Sequence, residues 1–284
     1  MTAHRAVTVL THQRPEQTAA VLEHLRAEAF RQGVVLRFDP EETRKHGLAA
    51  GAGVEVDAEL SREVELCVVL GGDGTILRGL RQYAGTGVPV FAVNFGEVGF
   101  LATVEPDEVA AGFAAALASD VEVLTLPALG LDLPGGRHTA VNDVSLHRKV
   151  GERVASLSYG VGGEEVGFVR CDGLVVATPA GSTGYNLANG GPVLAWGVEG
   201  YVVSFIAPHS LTARALVVAP GDELQVCNRG DGEVDILIDG RPVGCLAPGD
   251  AIATVFVRQA ALLAQAPGSS FYLRLREKFG RLAA

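Results

Sequence analysis

The chain has 284 residues and a net charge of −10, with 23 basic against 33 acidic side chains. A protein whose main partner is a polyanion normally carries a basic excess, which argues against nucleic acid and anionic membrane surfaces. Hydrophobic residues make up 48% and aromatics 6%, which excludes intrinsic disorder and disfavours base-stacking platforms, and the length predicts about two domains.

The first half alternates strand-like and helix-like segments. Ala6–Leu10 is a β-branched apolar run, and Pro15 then opens a helical stretch with Val21, Leu22, Leu25 and Ala29 on one face. Val34–Phe38 reads as a second strand, and Glu65–Leu70 as a buried strand ending in glycines. Helix-like Thr75–Tyr83, strand Val88–Val93 and a helix over Glu105–Ala118 follow, the last with Pro106 at its start. Alternation of this kind predicts a parallel sheet flanked by helices.

Beyond about residue 120 the texture becomes that of short strands: Val121–Leu133, Thr139–Arg148, Val154–Gly160, Leu174–Ala177, Tyr201–Ile206, Ala215–Val218, Glu223–Asn228, Val234–Ile238 and Ala251–Arg258. Gly, Pro and Asp turns separate them. The tail from Ser270 to Leu282 has Phe271, Leu275 and Phe279 at helical spacing, as of a helix folding back on the first domain. The expectation is an α/β fold in which residues 1–122 with about 262–284 form an N-terminal α/β domain with a parallel sheet. Residues 123–261 form a C-terminal β-rich, β-sandwich-like domain.

Only three of the basic residues are lysine (Lys45, Lys149, Lys278), so phosphate chemistry would rest on arginine, backbone amides and metal. The four cysteines show no C-x-x-C spacing, giving neither a zinc knuckle nor a disulfide framework. No signal-peptide core and no run of about 18 apolar residues is present, so the protein is expected to be reduced, soluble and cytoplasmic, without a membrane partner.

The strongest motif is Gly71-Gly72-Asp73-Gly74-Thr75 at the end of a predicted buried strand. Ligands bind at the carboxyl ends of strands in open α/β sheets, and glycines there expose amides that cradle phosphate. A carboxylate in such a loop repels phosphate unless it accepts a proton from an attacking hydroxyl or holds a metal. Helix capping is the alternative for Asp73, but a cap does not need three flanking glycines. Leu77 breaks the dinucleotide G-x-G-x-x-G pattern, and no G-K-[ST] occurs.

A second glycine loop, Asn94-Phe95-Gly96-Glu97-Val98-Gly99-Phe100-Leu101, reads equally as a turn or a binding loop, and Asn142-Asp143 is common turn chemistry. The stretch from Cys171 to Pro192 empties a buried strand into small residues and one aromatic. There Tyr185 offers a stacking face and Ser182 and Thr183 offer donors, or else the tyrosine is core.

Together these segments resemble the NAD kinase family, over roughly residues 65 to 245. The resemblance rests on Gly-Gly-Asp-Gly-Thr at 71–75, Asn-x-Gly-x-x-Gly-Phe-Leu at 94–101, Asn142-Asp143, and Asp172-Gly173 leading to Thr178-Pro179-x-Gly-Ser-Thr-x-Tyr. Gly190-Gly191-Pro192, Pro208-His209-Ser210-Leu211 and Asp239-Gly240 complete it. Such a family implies phosphorylation of the 2′-hydroxyl of the adenosine ribose of NAD by ATP, or by polyphosphate, with Mg²⁺.

The resemblance further implies that Asp73 orients the hydroxyl and takes its proton. Gly71, Gly72, Gly74 and Thr75 would cradle ATP phosphates, with Mg²⁺ held through the phosphates and no direct protein ligand. Arg78 would meet phosphate, or lie on a solvated helix face. Asn142 and Asp143 would hold adenosine, and Thr183, Gly184, Tyr185, Asn186, Leu187 and Ala188 would wrap adenine. Asp172 with Arg170 would sit near the nicotinamide, Arg153 would reach across a subunit contact, and a homodimer or homotetramer is implied. Departures from the family pattern are Ala180 for threonine, Gly184 for alanine, Asn186 and Asn189 in place of small or hydroxyl residues, and Arg241 for glutamine; Ala180 loses a hydroxyl contact. A lipid or sugar kinase sharing Gly-Gly-Asp-Gly, or a non-catalytic dinucleotide sensor, is the competing reading.

Overall fold

The computed structural model describes residues 5–96, 99–102 and 104–280. The chain divides into two units, one running to Thr125 and resuming at Ala261, the other spanning Leu126–Ala260. Among the described residues no helix is long and apolar enough to cross a membrane.

The first unit contains β1 (Ala6–Thr11), α1 (Ala19–Gln32), β2 (Val35–Arg37), α2 (Pro40–His46), β3 (Val54–Glu55), β4 (Leu66–Gly71), α3 (Asp73–Gln82), β5 (Pro89–Asn94) and α4 (Val109–Leu117). The strands pair in parallel in the order β5-β4-β1-β2-β3. Every residue of β4 is buried, as a central strand covered on both faces requires. Leu22, Leu25 and Ala29 of α1 and Phe113 and Leu117 of α4 pack with Val68, Leu70, Phe91 and Val93 in one core.

Two local features depart from the sequence expectation. The helix expected from Glu105 begins only at Val109, because Glu105–Glu108 closes as a turn, Glu108 N–H donating to Glu105 O at 3.0 Å. Pro106 suits the second position of that turn. Helix α2 has no apolar periodicity, but Asp39 caps it by accepting from Glu42 N–H at 2.8 Å. Its sequence signals are the Asp-Pro-Glu-Glu start, the basic last turn Arg44-Lys45-His46 and Gly47 as its left-handed C-cap.

The second unit contains or shares β6 (Glu122–Leu133), β7 (Gly136–Ala140), β8 (Asp143–Arg148), β9 (Ala155–Val161), β10 (Glu164–Cys171), β11 (Gly173–Ala177), α5 (Tyr185–Ala188), β12 (Tyr201–Ile206), β13 (Leu216–Val218), β14 (Leu224–Asn228), β15 (Val234–Ile238), β16 (Arg241–Leu246) and β17 (Ala251–Gln265). The pairs β6–β7, β8–β11, β8–β15, β9–β10, β9–β14, β11–β12, β12–β13, β14–β17 and β15–β16 are antiparallel. One sheet runs β13-β12-β11-β8-β15-β16, and a second contains β10-β9-β14-β17. Val144, Leu146, Leu174, Val176 and Val203 of the first share a core with Leu157, Val169, Leu224, Val226 and Ile252 of the second, the arrangement of a β-sandwich.

Strands β10 and β16 escape the sequence reading. Both are edges, where Glu164, Glu165 and Gly167 in one and Pro242 and Gly244 in the other are tolerated because half the backbone needs no partner. The expected strand Thr139–Arg148 is split at Val141-Asn142, whose amides leave the ladder for the Asp239 carboxylate, at 3.2 and 2.7 Å.

Back in the first unit, Leu262–Ala264 of β17 pairs in parallel with β5. The tail forms α6 (Phe271–Phe279), capped where Leu273 N–H donates to Ser270 Oγ at 3.1 Å. Phe100 packs against Phe271 and Phe279 of this helix at ring-centroid distances of 5.7 and 5.8 Å.

Candidate functional site

The chain after β1 turns to one side of the sheet toward β2, whereas the chain after β4 turns to the other toward β5. The carboxyl ends of adjacent β1 and β4 therefore form a topological switch point, where open α/β sheets bind ligands. A cleft of ≈ 600 Å³ lies there, lined by His12, Arg14 and Gln17 after β1, Asp73 after β4, and Phe95, Gly96 and Gly99 after β5. His12 and Arg14 are missing from the sequence-derived set. Their position directly after the first strand was the available signal, readable only with the strand order known.

Gly72 caps α3, and Asp73 is its first residue, so the carboxylate stands at the positive end of the helix dipole. Asp73 Oδ2 accepts from Phe100 N–H at 3.2 Å and Oδ1 from Leu101 N–H at 3.1 Å. The glycines have separate steric roles. A Cβ on Gly71 would lie 2.6 Å from Thr75 Cβ, and one on Gly96 would lie 2.9 Å from Gly72 Cα. The two glycine loops thus touch backbone to backbone, whereas Gly74 opens onto space empty to 4 Å. The first amides of an α-helix have no i−4 partner within it, and those of α3 begin at this cleft.

Arg78 lies one turn into α3 with its charge engaged. Its Nη2 donates to Glu42 Oε1 at 2.6 Å, and Nη1 lies 3.5 Å from Glu41. Glu42 is fully buried and also accepts from Thr11 N–H and Oγ1 and pairs with Lys45 at 2.8 Å.

In the second unit a constellation forms on the face of the six-stranded sheet turned away from the sandwich core. Asp143, Ser145 and His147 alternate along β8 and pair in register with Ala177, Val175 and Gly173 of β11. Asp239, with φ +47°, holds the turn before β8 by accepting from the amides of Val141, Asn142 and Asp143. Thr178 locks the next loop onto it, donating from Oγ1 to Val141 O at 2.7 Å and from N–H to Asn142 O at 2.9 Å. Asn142 Oδ1 is left buried with no hydrogen-bond partner among the described residues. Burial, reinforced by Asp239, pushes the Asp143 carboxyl up to about 7.

Tyr185, 37% exposed, lies parallel to His147 with centroids 5.6 Å apart and 6° between planes. Burial raises the Tyr185 phenol and lowers the His147 imidazole. His147 was not singled out in the sequence, although the two-residue period from Asp143 places it on the same face. Thr183 Oγ1 donates to Ala180 O at 3.1 Å, and Ala180 is buried. Asn186 is buried too, its amide donating to Ser182 O and Pro192 O at 2.9 Å each, which closes the loop on itself. Gly184 and Ala188 are exposed and Leu187 is half-buried.

Asp172 pairs with Arg148 rather than with Arg170, Nε to Oδ1 at 2.5 Å. Arg148, Arg153 and Arg170 line a separate cleft of ≈ 540 Å³. Arg241 begins β16 opposite Ile238 and is exposed.

A carboxylate held by loop amides at a switch point, beside basic side chains and helix-terminal N–H groups, is the equipment of a phosphotransferase acting on an alcohol. The model of the ATP-NAD kinase N-terminal domain matches residues 23–121, and that of the ATP-NAD kinase C-terminal domain matches residues 141–263. An NAD kinase of Gemmatimonas aurantiaca is 33% identical over 226 residues, covering 76% of this chain and 78% of that protein. An NAD kinase of Thermomicrobium roseum is 37% identical over 226 residues, covering 76% of each. Yeast NADH kinase, solved with NADH, superposes with a TM-score of 0.86 at 22% identity over 99% of this chain and 89% of that one. An NAD kinase from Archaeoglobus fulgidus, solved with ATP, gives 0.74 at 25% identity over 97% of each chain. The chain belongs to the NAD kinase family.

Proposed function

We propose that this protein transfers the terminal phosphoryl group of ATP to the 2′-hydroxyl of the adenosine ribose of NAD, giving NADP and ADP. Family membership decides for this acceptor over the lipid and sugar acceptors of other Gly-Gly-Asp-Gly kinases. A bond forms between the ribose oxygen and the terminal phosphorus, the bond from that phosphorus to the bridging oxygen of ADP breaks, and the hydroxyl proton passes to the Asp73 carboxylate. The observation that carries the reading is the state of Asp73: amides hold both oxygens in the switch-point cleft, leaving each a further lone pair for the hydroxyl proton. A carboxylate is a weak base toward an alcohol, but phosphoryl transfer draws most of its rate from positioning and charge neutralisation.

The amides of Gly72, Asp73 and Gly74, together with His12 and Arg14, hold the donor phosphates, with Thr75 supporting the loop from behind Gly71. Among the described residues no three His, Cys, Asp or Glu side chains converge. In this reading a Mg²⁺ ion would be carried on the phosphates, the usual mode for a cation that keeps most of its waters. When bound, the ion supplies neutralisation of phosphate charge. The second unit binds NAD: Asn142 Oδ1, a buried acceptor in want of a donor, suits the exocyclic amine of adenine, Tyr185 supplies a ring face, and Asp143 accepts from the ribose. Arg153, Arg170 and Asp172 belong to the nicotinamide side of the reading. A homodimer or homotetramer and a cytoplasmic site of action complete the proposal, the latter in keeping with four unpaired cysteines.

The test is NADP formation from ATP and NAD by the wild type and by Asp73→Asn. Turnover should fall by about 10³-fold or more, while NAD binding by calorimetry stays within about threefold. Near-normal turnover in the variant would remove Asp73 from the chemistry.

A further inference from the structure

Arg274 lies in the middle of α6, about 200 residues along the chain from Asp73, yet it is only 8% exposed. Burying a guanidinium is costly unless its donors are met. Here Nη1 donates to Phe100 O at 2.7 Å and also to Ala102 O. These two carbonyls flank the Leu101 amide, which with the Phe100 amide just before it holds the Asp73 carboxylate. The peptide segment from Phe100 to Ala102 is therefore gripped from both sides, its N–H groups on the carboxylate and its C=O groups on the guanidinium. Burial lowers the Arg274 guanidinium, and the negative charges of Asp73, Glu277 and Glu105 raise it.

The rest of α6 is fastened to the same loop. The Phe100 ring packs on Phe271 and Phe279. Lys278 Nζ lies 3.0 Å from Glu105 Oε1, and Glu105 in turn accepts from Asn94 Nδ2 at 3.1–3.2 Å. Asn94 Oδ1 accepts from Gly96 N–H at 3.0 Å, and Gly96 abuts Gly72.

We propose that Arg274 is a positioning residue for Asp73, holding through the Phe100–Ala102 carbonyls the two amides that aim the carboxylate at the acceptor hydroxyl. The C-terminal helix thereby serves as a strap that sets the base, acting on turnover rather than on substrate affinity. This rests on the proposed kinase reaction and on Asp73 as its base.

Steady-state kinetics of Arg274→Gln and Arg274→Lys against the wild type test it, with the fraction of NAD-competent sites in each preparation fixed by calorimetric stoichiometry. Per competent site, kcat of Arg274→Gln should fall about 10–100-fold, the effect expected of a displacement near 1 Å in a catalytic group, while KM for NAD and ATP changes less than about threefold. Arg274→Lys, which keeps the charge but reaches fewer acceptors, should be intermediate, and millimolar guanidinium should restore part of the kcat of Arg274→Ala. Hydrogen exchange at the Phe100 and Leu101 amides should quicken in Arg274→Gln. Unchanged kcat per competent site in Arg274→Gln overturns the inference, as does a loss explained wholly by fewer competent sites. A wild type unable to make NADP would instead overturn the underlying kinase reading.

Discussion

The rings of His147 and Tyr185 lie parallel, 5.6 Å between centroids and 6° between planes. His147 comes from strand β8 and Tyr185 opens the short helix α5 after β11, so a sheet residue backs an exposed residue at a helix start. A ring held at a fixed angle pays less ordering entropy when a planar ligand stacks on it. Tyr185→Ala should raise the Kd for NAD about 10–100-fold, the worth of one stacked base, and Tyr185→Phe should leave it nearly unchanged. His147→Ala, which leaves the tyrosine ring present but unsupported, should weaken binding by about 0.5–1.5 kcal/mol. Calorimetry with NAD reads all three.

The carboxyl of Asp143 gives the second unit a stability slope with pH. Its folded value of about 7 lies above the ordinary 3.8, so the folded state holds the proton more tightly than the unfolded chain. Stability is then greatest below about pH 4 as far as this group is concerned, and declines as pH rises toward 7. Asp143→Asn removes that decline. Thermal melts should show the variant more stable than wild type near pH 8, by up to about 4 kcal/mol, and the gain vanishing near pH 4.

Arg78 and Glu42 form a test of structure against phosphate binding. Because Glu42 is fully buried and retains Lys45 as a partner, Arg78→Ala should destabilise the first unit by about 1–3 kcal/mol. Glu42→Gln with Arg78 intact should shift KM for ATP little. Denaturant titration beside steady-state kinetics separates the two contributions.

Gly181 faces the backbone of Asn142 so closely that a Cβ would lie 2.0 Å from its carbonyl oxygen. Neither backbone can yield cheaply, since Thr178 and Asp239 pin the same turn. Gly181→Ala should cost about 3 kcal/mol or more and weaken NAD binding with it. A variant melting like wild type would contradict the packing described.

The Arg148–Asp172 pair is a third exposed on each side, so its worth in stability is below about 1 kcal/mol. Arg148→Ala should accordingly melt within a few degrees of wild type while raising KM for NAD.

Much of this protein can be read along the chain. Buried strand β4 running into Gly-Gly-Asp-Gly-Thr marks the loop proposed to hold phosphate, because a central parallel strand is continuously apolar and glycines at its end have few other uses. The 3.6-residue spacing of Leu22, Leu25 and Ala29, and of Phe271, Leu275 and Phe279, declares α1 and α6 for the same local reason. Edge strands β10 and β16 stay hidden, since an edge relaxes the demand for apolar alternation. His12 and Arg14 join the cleft of Asp73 only when β4 pairs beside β1, and Asp172 finds Arg148 only through the fold of β8 beside β11. Arg274 reads as one more charge on an amphipathic tail until the helix turns that side chain inward beneath the loop that holds Asp73. Periodicity and turn chemistry act over a few residues and are written locally, whereas a partner about 200 positions away is chosen by strand order and packing, which no local pattern encodes.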